Sequence, residues 1–269
     1  MDFLSTIINQ KRLRVETAKL SVSPEVLEVM ARKGREHAVP HALASALRAD
    51  SKINIIAEFK RRSPSKGEIR TAANPEIIAK SYEAGGAAAV SVLMEEDYFD
   101  GSLDDLRAVR QAISVPILRK DFIFEEYQIY ESAAAGADAL LLIVAALDDE
   151  TLTRLRRLAE DELRMDALVE VHTRKEMDRA VKSGAKLIGV NNRNLSTFEV
   201  SLDISAQLAP IGGDTLLLIS ESGIESRDDI RLLYDLGYRG FLIGESLMRA
   251  DDPREELRKF TQGRKGTIQ

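Results

Sequence analysis

The chain has 269 residues, 44% of them apolar and 30% charged, enough for one large domain with a buried core. A formal charge of −6, with no Lys/Arg cluster interleaved with aromatics, excludes nucleic acid as a partner. Cysteine is absent, which excludes disulfides, thiolate nucleophiles and sulfur-rich metal sites, and the three histidines, His37, His41 and His172, form no HExxH pair, which argues against a histidine-based metal site.

The opening Met1-Asp2-Phe3-Leu4-Ser5 lacks a basic segment leading into an apolar one, so no signal peptide is expected. Helical patterns cover Phe3–Leu20, Pro24–Arg35 and Ala42–Arg48. Residues 1–50 thus read as an amino-terminal helical extension that either caps one end of the main domain or helps cover its site. From residue 53, β-branched apolar runs alternate with helical patterns. The runs are Ile53–Lys60, Ala88–Met94, Pro116–Phe122, Ala139–Ala146, Ala167–Thr173, Leu187–Asn192, Leu216–Ser222 and Phe241–Gly244. They begin roughly 20 to 35 residues apart, the length of one strand–helix unit. The longest apolar stretch, Ala139–Leu147, falls far short of the ~20 residues of a membrane span. A cytoplasmic protein with no membrane contact is expected.

Amphipathic segments such as Asp149–Asp161, Lys175–Ser183 and Asp228–Leu236 lie between the runs. Glycine precedes the next run at Gly85-Gly86, Gly136, Gly184 and Gly237, supplying the left-handed residue that stops a helix. Ser226 with Asp229 reads as a capping box, and Asn74-Pro75 as an N-cap with an N1 proline. Eight short-linked units fit a closed barrel or an open doubly wound sheet. The absence of GxGxxG after the first strand and the count of eight favour a (β/α)8 TIM barrel. The expected layout is one domain, with the extension at 1–50, the barrel at 51–262 and a frayed tail at 263–269.

Barrel interiors are normally apolar, yet several runs end in ionisable or amide residues, on the side where such barrels place their chemistry. Glu58 and Lys60 are two apart and share a face, as do Asn191 and Arg193. The third run ends Arg119-Lys120-Asp121, the fifth carries Glu170, and the seventh ends Ser220-Glu221-Ser222-Gly223. Any one of these alone reads as a solvated rim residue or a surface salt bridge. Five together point to a mouth built for acid–base work. The loops after the last two runs, Ser222-Gly223 and Gly244-Glu245-Ser246, have the small residues that let backbone N–H groups approach a phosphate. The polar stretch Arg61–Thr71, punctuated by Pro64 and Gly67, is expected to be a mobile loop that closes over a ligand.

These segments in this order resemble the indole-3-glycerol phosphate synthase family. The resemblance runs through Ala57-Glu58-Phe59-Lys60-Arg61-Arg62-Ser63-Pro64-Ser65, Ser91–Met94 with Phe99–Ser102, Leu118-Arg119-Lys120-Asp121-Phe122, Leu168–Val171, Gly189–Leu195, Ser220–Ile224 and Leu242–Gly244. It implies ring closure of 1-(2-carboxyphenylamino)-1-deoxyribulose 5-phosphate, with loss of carbon dioxide and water and without metal or organic cofactor. It further implies Lys120 as general acid, Glu170 as general base, Lys60 near the substrate carboxylate or as an acid, and Glu58 and Asn191 as orienting groups. By the same resemblance, Glu221 would arrange the charges, while Ser63, Arg193 and Ser222 would contact the substrate. Gly223, Gly244 and the backbone at Glu245 would hold phosphate, and Phe99 and Phe122 would wall the aromatic ring or serve the core. A small phosphorylated substrate, and no obligate protein partner, is implied.

Two residues depart from the family pattern. Met94 stands where threonine is more usual, beside the expected ring pocket, and Glu245 stands where a serine is common, so its carboxylate is expected to turn away from phosphate. Phosphoribosylanthranilate isomerase, a barrel that relies on a cysteine base, is disfavoured because this chain has none. Another sugar-phosphate barrel enzyme, or a non-catalytic barrel that binds phosphorylated metabolites, is the remaining alternative.

Overall fold

The computed structural model describes residues 3–49, 53–195, 197–213 and 215–261; the frayed tail expected at 263–269 lies outside them. Eight parallel strands form a closed barrel: β1 (Ile55–Phe59), β2 (Ala89–Leu93), β3 (Ile117–Lys120), β4 (Ala139–Ile143), β5 (Asp166–Val171), β6 (Leu187–Asn191), β7 (Leu217–Glu221) and β8 (Gly240–Ile243). β1 closes the ring by pairing with both β2 and β8. All eight lie within the eight predicted apolar runs or one residue outside them.

Strand periodicity sorts each run into two layers. Ile55, Ala57 and Phe59 pack outward against the helices, as do Val90 and Val92, whereas Ile56, Leu118, Leu168 and Ile219 fill the barrel interior. Along the inward face the sequence then changes character. Ile56 is followed by Glu58, Leu118 by Lys120, Leu168 by Glu170 and Ile219 by Glu221. The floor is therefore apolar and the rim ionisable, with no break in the alternation. Met94 belongs to the outward set and is buried among the helices, which corrects its expected place beside the ring pocket. It continues the Val90–Val92 face, so its side chain points away from the mouth.

The helices between the strands start and stop where local chemistry dictates. Asn74 caps α4 (Pro75–Gly85) by accepting from the Ile77 N–H, and Ser226 with Asp229 forms the capping box of α11 (Arg227–Asp235). Gly86, Gly136, Gly184 and Gly237 all have φ between 86° and 103°, the conformation that ends each helix and turns the chain into the next strand. The pattern predicted as Asp149–Asp161 is α8 (Asp149–Arg157) continued by a wider turn at Leu158–Glu162, closed by the Leu163 N–H on the Leu158 carbonyl. No helix among the described residues is long and apolar enough to cross a membrane.

The extension does both things expected of it. α3 (Ala42–Leu47) inserts Leu43, Ala44 and Leu47 into the interior cluster and plugs the amino-terminal end of the barrel. α2 (Pro24–Arg35) lies against α7 (Glu126–Ala134), and its buried Arg35 donates to the carbonyls of Leu163 and Arg164. α1 (Phe3–Ser21) crosses to the opposite end. There Lys11 is buried between Asp121 (3.0 Å) and Glu96 (2.6 Å), and Phe3 and Leu4 reach the mouth.

Candidate active site

Charged and amide side chains from five strand ends meet over the apolar floor. Lys120 at the end of β3 places its ammonium 3.1 Å from Glu170 Oε2 on β5 and 2.9 Å from Glu221 Oε2 on β7. Lys60, just past β1, lies 2.5 Å from Glu58 Oε1. Asn191 on β6 accepts from the Arg193 N–H and the Ser222 hydroxyl, both at 3.0 Å. Glu58, Glu170 and Glu221 are almost fully buried, while the two lysines remain partly open to the mouth. Two glycines make room for these carboxylates. A Cβ at Gly189 would strike Glu221, and one at Gly244 would strike Glu58. Sequence assigns Gly244 only to phosphate approach, yet its missing side chain is needed first by Glu58.

This crowding sets the protonation states. Burial alone would lower the Lys120 pKa, but the carboxylates of Glu170, Glu221 and Glu58 outweigh it and hold the ammonium charged, above its ordinary value. Burial would raise Glu170, but Lys120, His172 and a hydrogen bond from Asn191 keep it ionised and below its usual range. Glu221 goes the other way. Burial, with the like charges of Glu170 and Glu58, overrides Lys120 and pushes it up to about 7. The site therefore holds a charged acid and an ionised base in contact, with a second carboxyl group that titrates near neutrality.

Arg119 and Asp121 flank Lys120 in sequence but face away from the mouth. Arg119 pairs with Asp121 (2.8 Å) and Glu131 (2.7 Å) behind β3, and Asp121 ties this layer to Lys11 of α1. Only Lys120 of the three points inward, as the period of two requires.

Two lobes flank the charges. One is an open hollow with apolar walls that include Phe99 and Phe122, both half-buried, beside Ser63. Leu4, Leu195, Phe3 and Phe198 complete it. The Phe3 ring stacks edge-on against Tyr98 and Phe198. Sequence reasoning misses these additional walls because apolar residues on a helix or in a loop look like core.

The other lobe is edged by Ser222, Gly223, Gly244, Glu245 and Ser246, with Lys66 and Arg249 as cations. Ser222 and Gly223 are consecutively left-handed, with φ of 65° and 78°. A side chain at Gly223 would also strike Val200. The Glu245 carboxylate lies 3.1 Å from Arg249 Nε and 4.0 Å from Lys66. Arg193 reaches over the junction of the lobes, donating to the Ser65 hydroxyl at 3.3 Å and the Phe198 carbonyl at 3.1 Å. Ser65 belongs to the Arg61–Thr71 loop. That loop is folded as a small ribbon (Arg62–Ser63 with Gly67–Glu68) and anchored by a two-pronged Arg61–Asp105 pair at 2.7 Å.

Fold and site together define a TIM-barrel enzyme whose lysine–carboxylate array stands between an aromatic lobe and a glycine-edged lobe. The chain belongs to the indole-3-glycerol phosphate synthase family, whose model matches residues 4–260. It is 46% identical over 259 residues to the indole-3-glycerol phosphate synthase of Carboxydothermus hydrogenoformans, covering 95% of this chain and 98% of that one. The corresponding protein of Nocardioides sp. is 52% identical over 208 residues, covering 77% and 80% respectively. Among solved structures, thiamine phosphate pyrophosphorylase from Pyrococcus furiosus superposes with a TM-score of 0.57 at 15% identity, covering 77% of this chain and 93% of that one. This likeness concerns the barrel fold alone.

Proposed function

We propose that this chain converts 1-(2-carboxyphenylamino)-1-deoxyribulose 5-phosphate to indole-3-glycerol phosphate, carbon dioxide and water in tryptophan biosynthesis. The observation that carries this reading is the position of the acid–base array between the two lobes. The substrate has an aromatic acid at one end, a phosphate at the other and its reacting ketone between them. The aromatic lobe takes the ring, with Phe99 and Phe122 as walls. Ser222, Gly223, Gly244 and the Glu245 backbone take the phosphate, and Ser63 and Arg193 contact the substrate between.

In this reading the ring carbon bearing the carboxylate bonds to the ketone carbon, and the ketone oxygen takes a proton from Lys120. Carbon dioxide then leaves, returning its bonding pair to the ring. The new hydroxyl departs as water while Glu170 removes the proton whose loss completes the pyrrole double bond. Lys60, paired with Glu58, stands where the departing carboxylate or hydroxyl needs a cation or proton donor. Asn191 orients Glu170, and Glu221 holds Lys120. Every group named comes from one chain, and we assign the enzyme to the cytoplasm without an obligate protein partner.

The test is to mix purified protein with the substrate and follow indole fluorescence. A rise that depends on the protein and is absent in Glu170→Gln is expected. No rise with phosphate-dependent binding intact would replace this reading with that of a non-catalytic metabolite-binding barrel.

A further inference from the structure

Glu170 has two carboxylate oxygens, and the lysine–carboxylate array of the mouth occupies one of them. Lys120 holds Oε2 at 3.1 Å. Oε1 faces His172, two residues further along the chain, whose Nε2 lies 3.4 Å away. The ring is nearly buried, and Nε2 has no hydrogen-bond partner. On its other side, Nδ1 lies 3.2 Å from Glu176 Oε2 on α9 (Arg174–Lys182), an oxygen that also accepts from the His172 backbone N–H at 2.7 Å. Glu176 is itself fixed, because α9 is capped by Thr173, whose hydroxyl accepts from the Glu176 N–H.

This arrangement restricts the tautomer. An ionised carboxylate only accepts, so Glu176 requires a proton on Nδ1. A neutral ring would then turn the Nε2 lone pair toward the Oε1 lone pairs of Glu170, an unfavourable contact in a buried place. A doubly protonated ring presents N–H to both carboxylates. We infer that His172 is a positioning residue, an imidazolium bridge from Glu176 that holds the second oxygen of Glu170 and keeps that base ionised. The inference rests on Glu170 as the base of the proposed reaction.

The surrounding charges agree with the inference. Burial works against the charged ring, but the Glu176 hydrogen bond and the charges of Glu170, Glu176 and Glu221 outweigh it and raise His172 above its ordinary pKa. Lys120 on β3 is the opposing cation nearest to Glu170. The bridge divides the work on Glu170: Lys120 lies on the substrate side and His172 on the helix side. The carboxylate is held from both directions without either cation having to move.

Asparagine and glutamine separate position from charge. In His172→Asn the amide sits near the Nδ1 position and leaves Oε1 uncovered. Relative to wild type, kcat at pH 8 is expected to fall about tenfold, with KM within about twofold. The acid limb of the kcat–pH profile should move up by about one pH unit as Glu170 loses a neighbouring cation. In His172→Gln the longer amide reaches Oε1. Turnover at pH 8 should recover, while the acid limb stays displaced because the charge is still missing.

A merely structural role would lower melting temperature and turnover together and leave the acid limb in place, and that outcome would overturn the inference. Imidazole ¹⁵N spectra of the unliganded protein, with the His172 signal assigned from the Asn variant, test the bridge without any turnover. Both ring nitrogens protonated at pH 7 is the expected result, and a neutral ring would also overturn it. A wild-type chain with no turnover would remove the proposed reaction, yet the spectra would still decide the state of the ring.

Discussion

Gly189 on β6 lies directly against the Glu221 carboxylate on β7, close enough that a single methyl group at Gly189 would overlap Oε1. Glycine in the middle of a strand weakens it, and here the weakness leaves room for a functional group. Gly189→Ala must therefore displace either the strand or Glu221, and the side chain is the softer of the two. The expected result is a destabilisation of about 1–3 kcal/mol, with a loss of kcat too large to follow from the fraction unfolded. Turnover and thermal melting measured on the same preparation check this, and unchanged kcat in a folded variant would contradict it.

Lys120→Met removes the ammonium that contacts both Glu170 and Glu221. Turnover should be lost, while substrate binding through the two lobes stays detectable. The two carboxyl groups would then have no ammonium between them, and their pKa values should rise. A raised acid contributes most below its unfolded value and loses that contribution as pH climbs, so the variant should be least stable at alkaline pH. Calorimetry for binding and melting across pH are the measurements; retained turnover would remove Lys120 from the acid role.

The barrel and its charged rim are legible in the sequence because both rest on a period of two. Ile56-x-Glu58-x-Lys60 and Leu118-x-Lys120 show the floor turning into the rim along one face, and the glycines at 86, 136, 184 and 237 mark where four of the units turn. Beyond Phe99 and Phe122, the apolar wall is not legible. Phe3, Leu4 and Phe198 come from an amino-terminal helix and a late loop, and nothing in their own neighbourhoods distinguishes a pocket wall from core. In sequence His172 is one of three scattered histidines with no assigned role, since its pairing with Glu176 depends on the turn from β5 into α9. Met94 differs from its expected place because the family pattern names the residue but not its face.

Glu221 makes stability depend on pH with a definite sign. Its pKa is pushed from an unfolded value of 4.5 to about 7, so the native state binds the proton more tightly. That contribution is complete below about pH 4.5 and is lost as pH rises through 7. Asp121 is the opposite case. Burial raises it, but Lys11 and Arg119 win and hold it at about 2 against 3.8, so its contribution is present above 3.8 and lost as pH falls through 2. Glu221→Gln should therefore gain melting temperature relative to wild type between about pH 5 and pH 8, and Asp121→Asn should lose it at neutral pH but not near pH 2. A Glu221→Gln difference that is the same at both pH values would show that Glu221 is not raised.

Lys11 links the fold to the aromatic lobe. Its buried pairs with Asp121 and Glu96 dock α1, and the same helix begins with the Phe3 and Leu4 that wall the lobe. Lys11→Met should cost about 2 kcal/mol, less than the ~3–5 kcal/mol of a fully broken buried pair because Arg119 stays with Asp121. KM should rise and kcat should change little, since no reacting group moves. Phe3→Ala should raise KM with a smaller loss of stability. Equal KM in both variants and wild type would separate α1 from substrate binding.

Glu245 is the remaining departure from the family pattern with an electrostatic consequence. Its carboxylate edges the glycine-rich lobe, held by Arg249 at 3.1 Å and by Lys66 at 4.0 Å, so two cations that would otherwise face the proposed phosphate site are partly engaged by an acid. Replacing the charge but not the shape, Glu245→Gln should free them and lower KM by about threefold at low salt. Arg249→Ala should do the reverse, leaving an acid beside the phosphate with one neutralising partner fewer. Because the lobe is open to water, both effects should fade at about 0.5 M salt, where the Debye length shrinks to a few ångströms. KM measured against ionic strength for both variants decides the matter: a Glu245→Gln effect that does not respond to salt would mean the side chain acts by shape rather than by charge.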